Sequence, residues 1–232
     1  MSPTAAVTAP LPAVLLAVLL AGCASSAGSE GASGPADTSA SMPSASGSTA
    51  TAGPGFAPAT PPPPAGTFTP DPGSWTGADP RPGYRVVLVT TDQSRPTQVL
   101  SAAVTSWAAE VGADLDVLVA DHPHHYVARI QQAIDEHADL VVCTGDGLVD
   151  PLALVTASNL DQQFLVVGAE LAEPTLNVTA ADWDGAAFRG EGLGRSAAYD
   201  PASFTPARAG RAIRAGVAAV LTGLGGTVVR VD

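Results

Sequence analysis

The sequence predicts an α/β fold, a parallel sheet with helices on both faces, and three observations carry that prediction. From Gly83 onward, short unbroken apolar runs alternate with stretches whose apolar residues recur at helical spacing. The runs carry no polar alternation, as befits strands covered on both sides. Gly and Pro punctuate the transitions between them. Strands that alternate with helices in this way pair in parallel through right-handed crossovers.

Each element follows in order. Arg85-Val86-Val87-Leu88-Val89-Thr90 is the first buried strand. Val99, Leu100, Ala103, Val104, Trp107, Ala108 and Val111 then draw one helix face, and Gly112 ends that helix. Leu115 to Ala120 is a second strand, and Val127, Ile130, Ala133 and Ile134 mark a second helix. Asp139 to Cys143 is a third strand. Asp150-Pro151 reads as the N-cap and first position of a third helix. Gln163 to Gly168 is a fourth strand and Thr175 to Thr179 a fifth. Thr205-Pro206 opens a last helix whose face is Ile213, Gly216, Val217, Val220, Leu221 and Leu224; Gly225-Gly226 stops it, and Thr227 to Val231 is the final strand.

The stretch before Gly83 reads differently. Leu11 to Leu20 is apolar apart from Pro12, roughly half the ~20 residues a membrane-spanning helix needs. It has the length of a signal-peptide core and ends in Leu20-Ala21-Gly22-Cys23. The segment resembles a bacterial lipoprotein signal with its lipobox, although Met1 to Pro10 holds no Lys or Arg. That resemblance implies cleavage before Cys23 and acylation of Cys23, giving a lipid anchor on the extracytoplasmic face of the cell membrane. From Ala24 to Pro82 the chain is rich in Ser, Ala, Gly, Thr and Pro without apolar periodicity, the composition of a disordered tether. A coil of about 60 residues reaches on the order of 40–45 Å. Phe56, Phe68 and Trp75 read as isolated apolar side chains in it, Trp75 touching the domain. The expected division is therefore signal 1–22, lipidated tether 23–82 and folded lobe 83–232.

Of 232 residues, the ten basic ones are all Arg, and the formal net charge is −12. That balance argues against nucleic acid, whose phosphates need a basic footprint. With Cys23 acylated, Cys143 has no partner for a disulfide and reads as a small buried hydrophobe.

The segment HYVARIQQAIDEHADLVVCTGDGLVD from His125 to Asp150, then Phe164-Leu165-Val166-Val167-Gly168, Leu176-Asn177-Val178 and Gly185 to Gly194, form an ordered set. Together they resemble the N-terminal lobe of the basic membrane protein family, lipid-anchored solute-binding proteins of ABC importers that include purine nucleoside receptors. The resemblance covers Gly83 to Gly194. It implies a single type I periplasmic-binding-protein-like lobe, a small-molecule ligand such as a nucleoside, and an ABC permease as partner. The chain holds one lobe where the family has two, so a second lobe from another chain is a further expected partner. The family's Asp-x-Ser-Phe-Asn signature corresponds to Asp92-Gln93-Ser94-Arg95-Pro96, and Gly168 stands where the family has a sugar-binding aspartate.

Ligands of parallel sheets bind at the carboxyl ends of the strands. Three loops qualify here: Thr91 to Thr97, Thr144 to Val149, and Ala180 to Gly185. Asp92 and Ser94 are ligand candidates; alternatively Ser94 or Thr97 caps the first helix. Thr144-Gly145-Asp146-Gly147 offers close backbone approach and a carboxylate that would repel phosphate but accept from hydroxyls or an amine; alternatively it is a plain strand-to-helix turn. Asp182-Trp183-Asp184 places an aromatic between carboxylates, suited to a cationic or ring-bearing ligand. The alternative is a buried Trp183 with Asp184 capping a helix. His122, His124 and His125 beside Asp121 read as a solvated loop rather than a metal centre, and Asn177-Val178-Thr179 as structural. No catalytic constellation, metal or cofactor is expected. The reading is a non-catalytic binding lobe, with a surface scaffold that has lost its ligand as the alternative class.

Overall fold

The computed structural model describes residues 50–91, 94–186, 188–194 and 198–232. The signal segment, Cys23 and the tether up to residue 49 lie outside the described residues, as does Asp92. Among the described residues seven strands form one sheet, β1 (Thr67–Phe68), β2 (Arg85–Thr90), β3 (Asp114–Val119), β4 (Leu140–Thr144), β5 (Phe164–Val167), β6 (Val178–Asp182) and β7 (Val228–Arg230). They pair in parallel throughout, in the order β1-β7-β6-β5-β4-β2-β3. The described α-helices that connect them are α1 (Arg95–Val111), α2 (Tyr126–Asp135), α3 (Val149–Val155) and α4 (Pro206–Leu221). None of the described helices is long and apolar enough to cross a membrane.

Strand alternation divides the sheet into two faces. Val86, Leu88, Leu140, Val142, Leu165, Val167 and Val229 point to one face, against α1 and α4. Val87, Val89, Val141, Cys143, Phe164 and Val166 point to the other, against α2 and α3. Helix α1 buries Leu100, Val104, Trp107 and Ala108 as its spacing predicts. Gly112 ends it at φ 70°. On α2, Ile130 and Ala133 are buried, but Val127 turns to solvent. Strand β3 is an edge, so its Val117 and Val119 are exposed rather than enclosed.

The ordered fold begins before Gly83, which corrects the expected tether boundary. The arm from Ala50 to Pro82 carries Phe56 and Phe68 into the core, where their rings meet edge-to-face at 5.9 Å. Trp75, Ala50 and Ala52 pack against the same cluster. Ala65 N donates to Gly226 O at 2.8 Å and Val228 N to Gly66 O at 3.0 Å, so the arm adds β1 as an edge strand beside β7. Two aromatics in an extended chain produce no period, yet each removes a large apolar area from water.

Three further boundaries move. The helical turn after β4 begins at Asp146 as a short 3-10 segment and runs into α3, so Asp150 and Pro151 fall inside the first turn; Asp150 is not the N-cap. The fifth predicted strand slides from Thr175–Thr179 to Val178–Asp182, because Asn177 is a bracket rather than a strand residue. It is buried, and its Nδ2 donates to the carbonyls of Thr156, Asn159 and Gln162 at 3.3, 2.9 and 2.9 Å. Helix α4 is capped by Thr205, whose hydroxyl accepts from Arg208 N at 3.3 Å. It stops at Leu221 rather than at Gly225: the Thr222 hydroxyl donates back to Ala218 O at 2.6 Å and Gly223 takes φ 78°.

Candidate ligand-binding site

Strands β2 and β4 lie side by side, with β2 next to the edge strand β3. From β2 the chain leaves through α1 toward one edge, and from β4 through α3 toward the other, with the two helices on opposite faces. Chain segments that diverge in this way open a crevice at the carboxyl ends of the two strands. Thr91 and Ser94 stand at one side of it and residues 144–148 at the other.

The turn after β4 is fixed from two sides. Gly145 takes φ 106°, and a Cβ there would overlap the Thr91 hydroxyl. A Cβ on Gly147 would stand 3.0 Å from Cε2 of Tyr126. The glycines therefore serve close packing between the β2 loop and the first residue of α2. Beneath them Thr90 Oγ1, Ser101 Oγ and Thr144 Oγ1 form a chain of hydroxyl contacts at 2.9 and 3.2 Å. Thr144 is fully buried in that chain, so it supports the turn and does not reach a ligand. Ser94 caps α1: its hydroxyl accepts from Thr97 N at 3.4 Å and contacts Thr97 Oγ1 at 3.1 Å.

Above the turn lies a cavity of about 400 Å³ lined by Pro123, Tyr126, Asp146, Gly147, Asp150, Pro151, Phe188 and Glu191. Two of these come from a segment the sequence does not tie to the turn. Asp150 holds it in place, its two carboxylate oxygens accepting from Glu191 N at 3.3 and 3.2 Å. Phe188 bridges to Ala169 beyond the end of β5, and its carbonyl accepts from Glu170 N at 2.8 Å. Arg189 turns away from the cavity to the buried carboxylate of Glu170, Nε to Oε1 at 3.3 Å. Of the sequence candidates, Asp146 lines this cavity, while Gly145 lies in the turn beneath it against Thr91. Tyr126, Asp150, Phe188 and Glu191 also line it without having been site candidates; Phe188 and Glu191 fall in the Gly-rich stretch from Gly185 to Gly194, and Tyr126 and Asp150 in the segment from His125 to Asp150.

The third candidate loop proves to be core. Trp183 is fully buried, its indole Nε1 donates to Ser203 Oγ at 2.9 Å, and its ring meets Phe204 at 5.0 Å. Asp184 caps no helix; it is exposed and pairs with Arg230 at 3.0 Å. Asp182 is buried at the end of β6 with Oδ2 3.2 Å from Arg230 Nη2. Burial pushes its carboxyl up to about 7; Arg230 opposes that rise, while Glu170 and Asp184 add to it. Neither Asp182 nor Trp183 therefore offers itself to a ligand.

Two positions that the family resemblance would place on ligand also prove different. Arg95 lines a separate groove between α1 and α4 with Val99, Ala103, Pro206 and Arg214. Gly168 takes φ 77°, and a Cβ there would stand 3.1 Å from both Leu100 and Phe204 and 3.4 Å from Trp183. No aspartate fits that position without displacing the core.

The histidine loop after β3 is exposed. His125 Nδ1 lies 2.8 Å from Asp121 Oδ1, and this hydrogen bond holds the Asp121 carboxyl below its usual range. The His122 and His124 rings stack at 5.4 Å. Among the described residues no three His, Cys, Asp or Glu side chains are placed to hold a metal ion. Cys143 is buried in β4, and burial pushes its thiol far above the ordinary range, the state of an inert core residue.

No family model matches the chain, and no curated protein matches it. Among solved structures it is similar to a fragment of a putative lipoprotein from Peptoclostridium difficile 630, at 17% identity and TM-score 0.39, over 42% of this chain and 84% of that one. It is similar to an ABC transporter solute-binding protein from Aeropyrum pernix K1, at 18% identity and TM-score 0.39, over 43% of this chain and 28% of that one. It is also similar to a transcriptional activator of the comK gene from Bacillus halodurans, at 14% identity and TM-score 0.38, over 44% of this chain and 35% of that one. The chain thus spans about a third of the length of the latter two proteins. A binding protein and a regulator share this likeness, so it assigns no function. What the coordinates establish is the α/β class: one parallel sheet with helices on both faces.

Proposed function

We propose that this chain is an extracytoplasmic lipoprotein, anchored through Cys23, whose single solute-binding-like lobe holds a small molecule without transforming it and serves an ABC importer. The observation that carries the binding half is the cavity above the Gly145–Gly147 turn. It opens beside the turn after β4, on the carboxyl-end edge of the sheet where ligands of open α/β folds bind, and its volume of about 400 Å³ suits a small organic molecule. The apolar run and tetrapeptide ending at Cys23 support the anchor.

A thermal-shift screen of the full chain against adenosine, ribose, alanine and choline tests the binding half. A ligand at 100 times its dissociation constant adds about 2.7 kcal/mol and raises the midpoint visibly. A cooperative melt that none of these, nor a broader panel of nucleosides, sugars and amino acids, displaces would overturn it. For the anchor, labelled palmitate should enter the wild-type chain in a bacterial host and fail to enter Cys23→Ala; equal labelling of both would remove Cys23 from the proposal.

A further inference from the structure

We propose that this chain pairs with a second copy of itself along β3, the two β3 strands running antiparallel about a two-fold axis at Val117 and joining two sheets into one. The described sheet ends on two unlike edges. Strand β1 is two residues long, an edge too short to recruit another strand. Strand β3 is six residues long and pairs with β2 residue for residue from Asp114 to Val119. Short length, Pro and bulges are among the means by which proteins blunt an edge, and β3 has none of the three.

The backbone of β3 is already set for a partner. Asp114 N donates to Tyr84 O at 2.9 Å and Ala120 N to Thr90 O at 2.8 Å, so the even-numbered residues turn their N–H and C=O groups to β2. Successive residues of a strand alternate in that direction, and Leu115, Val117 and Val119 therefore turn theirs outward. The side chains of these three residues also share one face of the sheet, the face that α1 and α4 cover. Helix α1 leans on α4 there, with Glu110 paired to Arg214. Leu115 packs against the core, whereas Val117 is 49% exposed and Val119 42%. An open ladder thus runs beside a row of uncovered apolar side chains.

The order of side chains along β3 selects a second copy as the occupant. In an antiparallel pair centred on Val117, that residue stands opposite the partner's Val117, and Leu115 opposite the partner's Val119. Each outward N–H then meets an outward C=O, and one face becomes a continuous cross-strand row of Leu and Val. On the other face Asp114 falls opposite the partner's Ala120 and Asp116 opposite the partner's Leu118, so no carboxylate directly opposes another. Centring the pair on Asp116 instead would set that carboxylate against its own copy, and like charges directly opposite are destabilising. Centring it on Leu118 would set Leu115 against the partner's Asp121 and break the apolar row. The strand is therefore complementary to itself in one register. Two-fold pairing of identical surfaces is the commonest symmetry of soluble oligomers, and with β1 blunt the assembly closes at a dimer.

Sedimentation velocity of the full chain carrying Cys23→Ser, which removes the proposed acylation site, tests this across a range of concentrations. A reversible monomer–dimer equilibrium is the expected result. On that background Val117→Lys and Val117→Glu should each raise the dissociation constant about tenfold or more, since each sets like charges face to face and removes apolar contact. An equimolar mixture of the two variants should recover the dimer, because residue 117 faces its own copy in this register. Leu154→Lys, on the exposed side of α3, should leave the equilibrium unchanged. Circular dichroism melts confirm that each variant folds. Each copy carries a formal charge of −12, so added salt should tighten the dimer by screening their repulsion. Monomer at every concentration overturns the proposal. So does a dimer that both charged variants keep, which would lie elsewhere, or a dimer that added salt dissolves, which would rest on ion pairs. A mixture that associates no better than either variant alone overturns the register. None of these outcomes bears on the small-ligand reading of the cavity.

Discussion

The arm from Ala50 to Pro82 and helix α4 bury apolar surface in the same core cluster, yet they do it in opposite ways. The arm relies on a few large anchors, Phe56 and Phe68, held in a chain of Pro and Gly with little secondary structure. Helix α4 relies on many small ones: Ala209, Ala212, Ala215, Gly216, Ala218 and Ala219 are all buried, alongside Ile213, Val217 and Val220. Small side chains let the helix backbone approach the sheet closely; a Cβ on Gly216 would come within 3.1 Å of Ala181 Cβ and 2.5 Å of Leu165 Cδ1. One region is therefore sensitive to subtraction and the other to addition. Prolines soften the cost of ordering the arm, because they restrict its unfolded ensemble as well.

The sharpest way to break this comparison is to remove an arm anchor. Phe56→Ala should destabilise the fold by about 3–5 kcal/mol, the range for a buried aromatic, read as a lowered denaturant midpoint. A loss below about 0.5 kcal/mol, the scale of surface changes, would show that the arm rests on the lobe without belonging to its core. The converse change is Gly216→Ala, which should cost about 1–3 kcal/mol by overpacking although alanine favours helix. A gain in stability there would mean that α4 can move outward and that its small residues are not a packing requirement.

A buried charge on the other face sharpens the picture differently. The Asp182 carboxyl titrates at about 7, against an ordinary value of 3.8. Between those values the folded state holds a proton that the unfolded chain has released. Its contribution therefore falls as pH rises through that window and levels above about 7. Asp182→Asn cannot titrate, so it should gain on wild type from pH 4 to about pH 7 and no further up to pH 8. Melting temperatures of the pair across that range read the difference, and parallel curves would contradict the assignment. The smallest effect expected is from Leu154→Ser on α3: this side chain is 74% exposed, and the change should stay within about 0.5 kcal/mol.

The same contrast explains what could be read in the chain. Helices α1 and α4 were legible because packing against a sheet imposes a period of 3.6, and Leu100, Val104 and Ile213 obey it. Strands β2, β4 and β5 were legible as unbroken apolar runs. The arm was not, since Phe56 and Phe68 are anchors on an irregular path, and no period links them. Asn177 misled the reading of β6 because a buried amide that satisfies three carbonyls looks, in sequence, like the start of a strand. At the site, Gly145 and Asp146 could be found because a glycine after a buried strand marks the crevice. Phe188 and Glu191 could not. They reach the cavity through the contact of Asp150 with the Glu191 amide, across 41 positions of chain.

Because every strand runs the same way, the place where the arm joins the fold has a bearing on access. Ala50 to Gly53 pack beside Leu221 and Leu224, at the end of α4, and Ala65 meets Gly226 just before β7 begins. That is the edge of the sheet where strands start, while the cavity opens on the edge where they finish. Ala50 therefore stands on the side opposite the cavity. Among the described residues the arm thus supplies nothing to the lining of the cavity, and a change that loosens it would act on stability before it acts on the mouth.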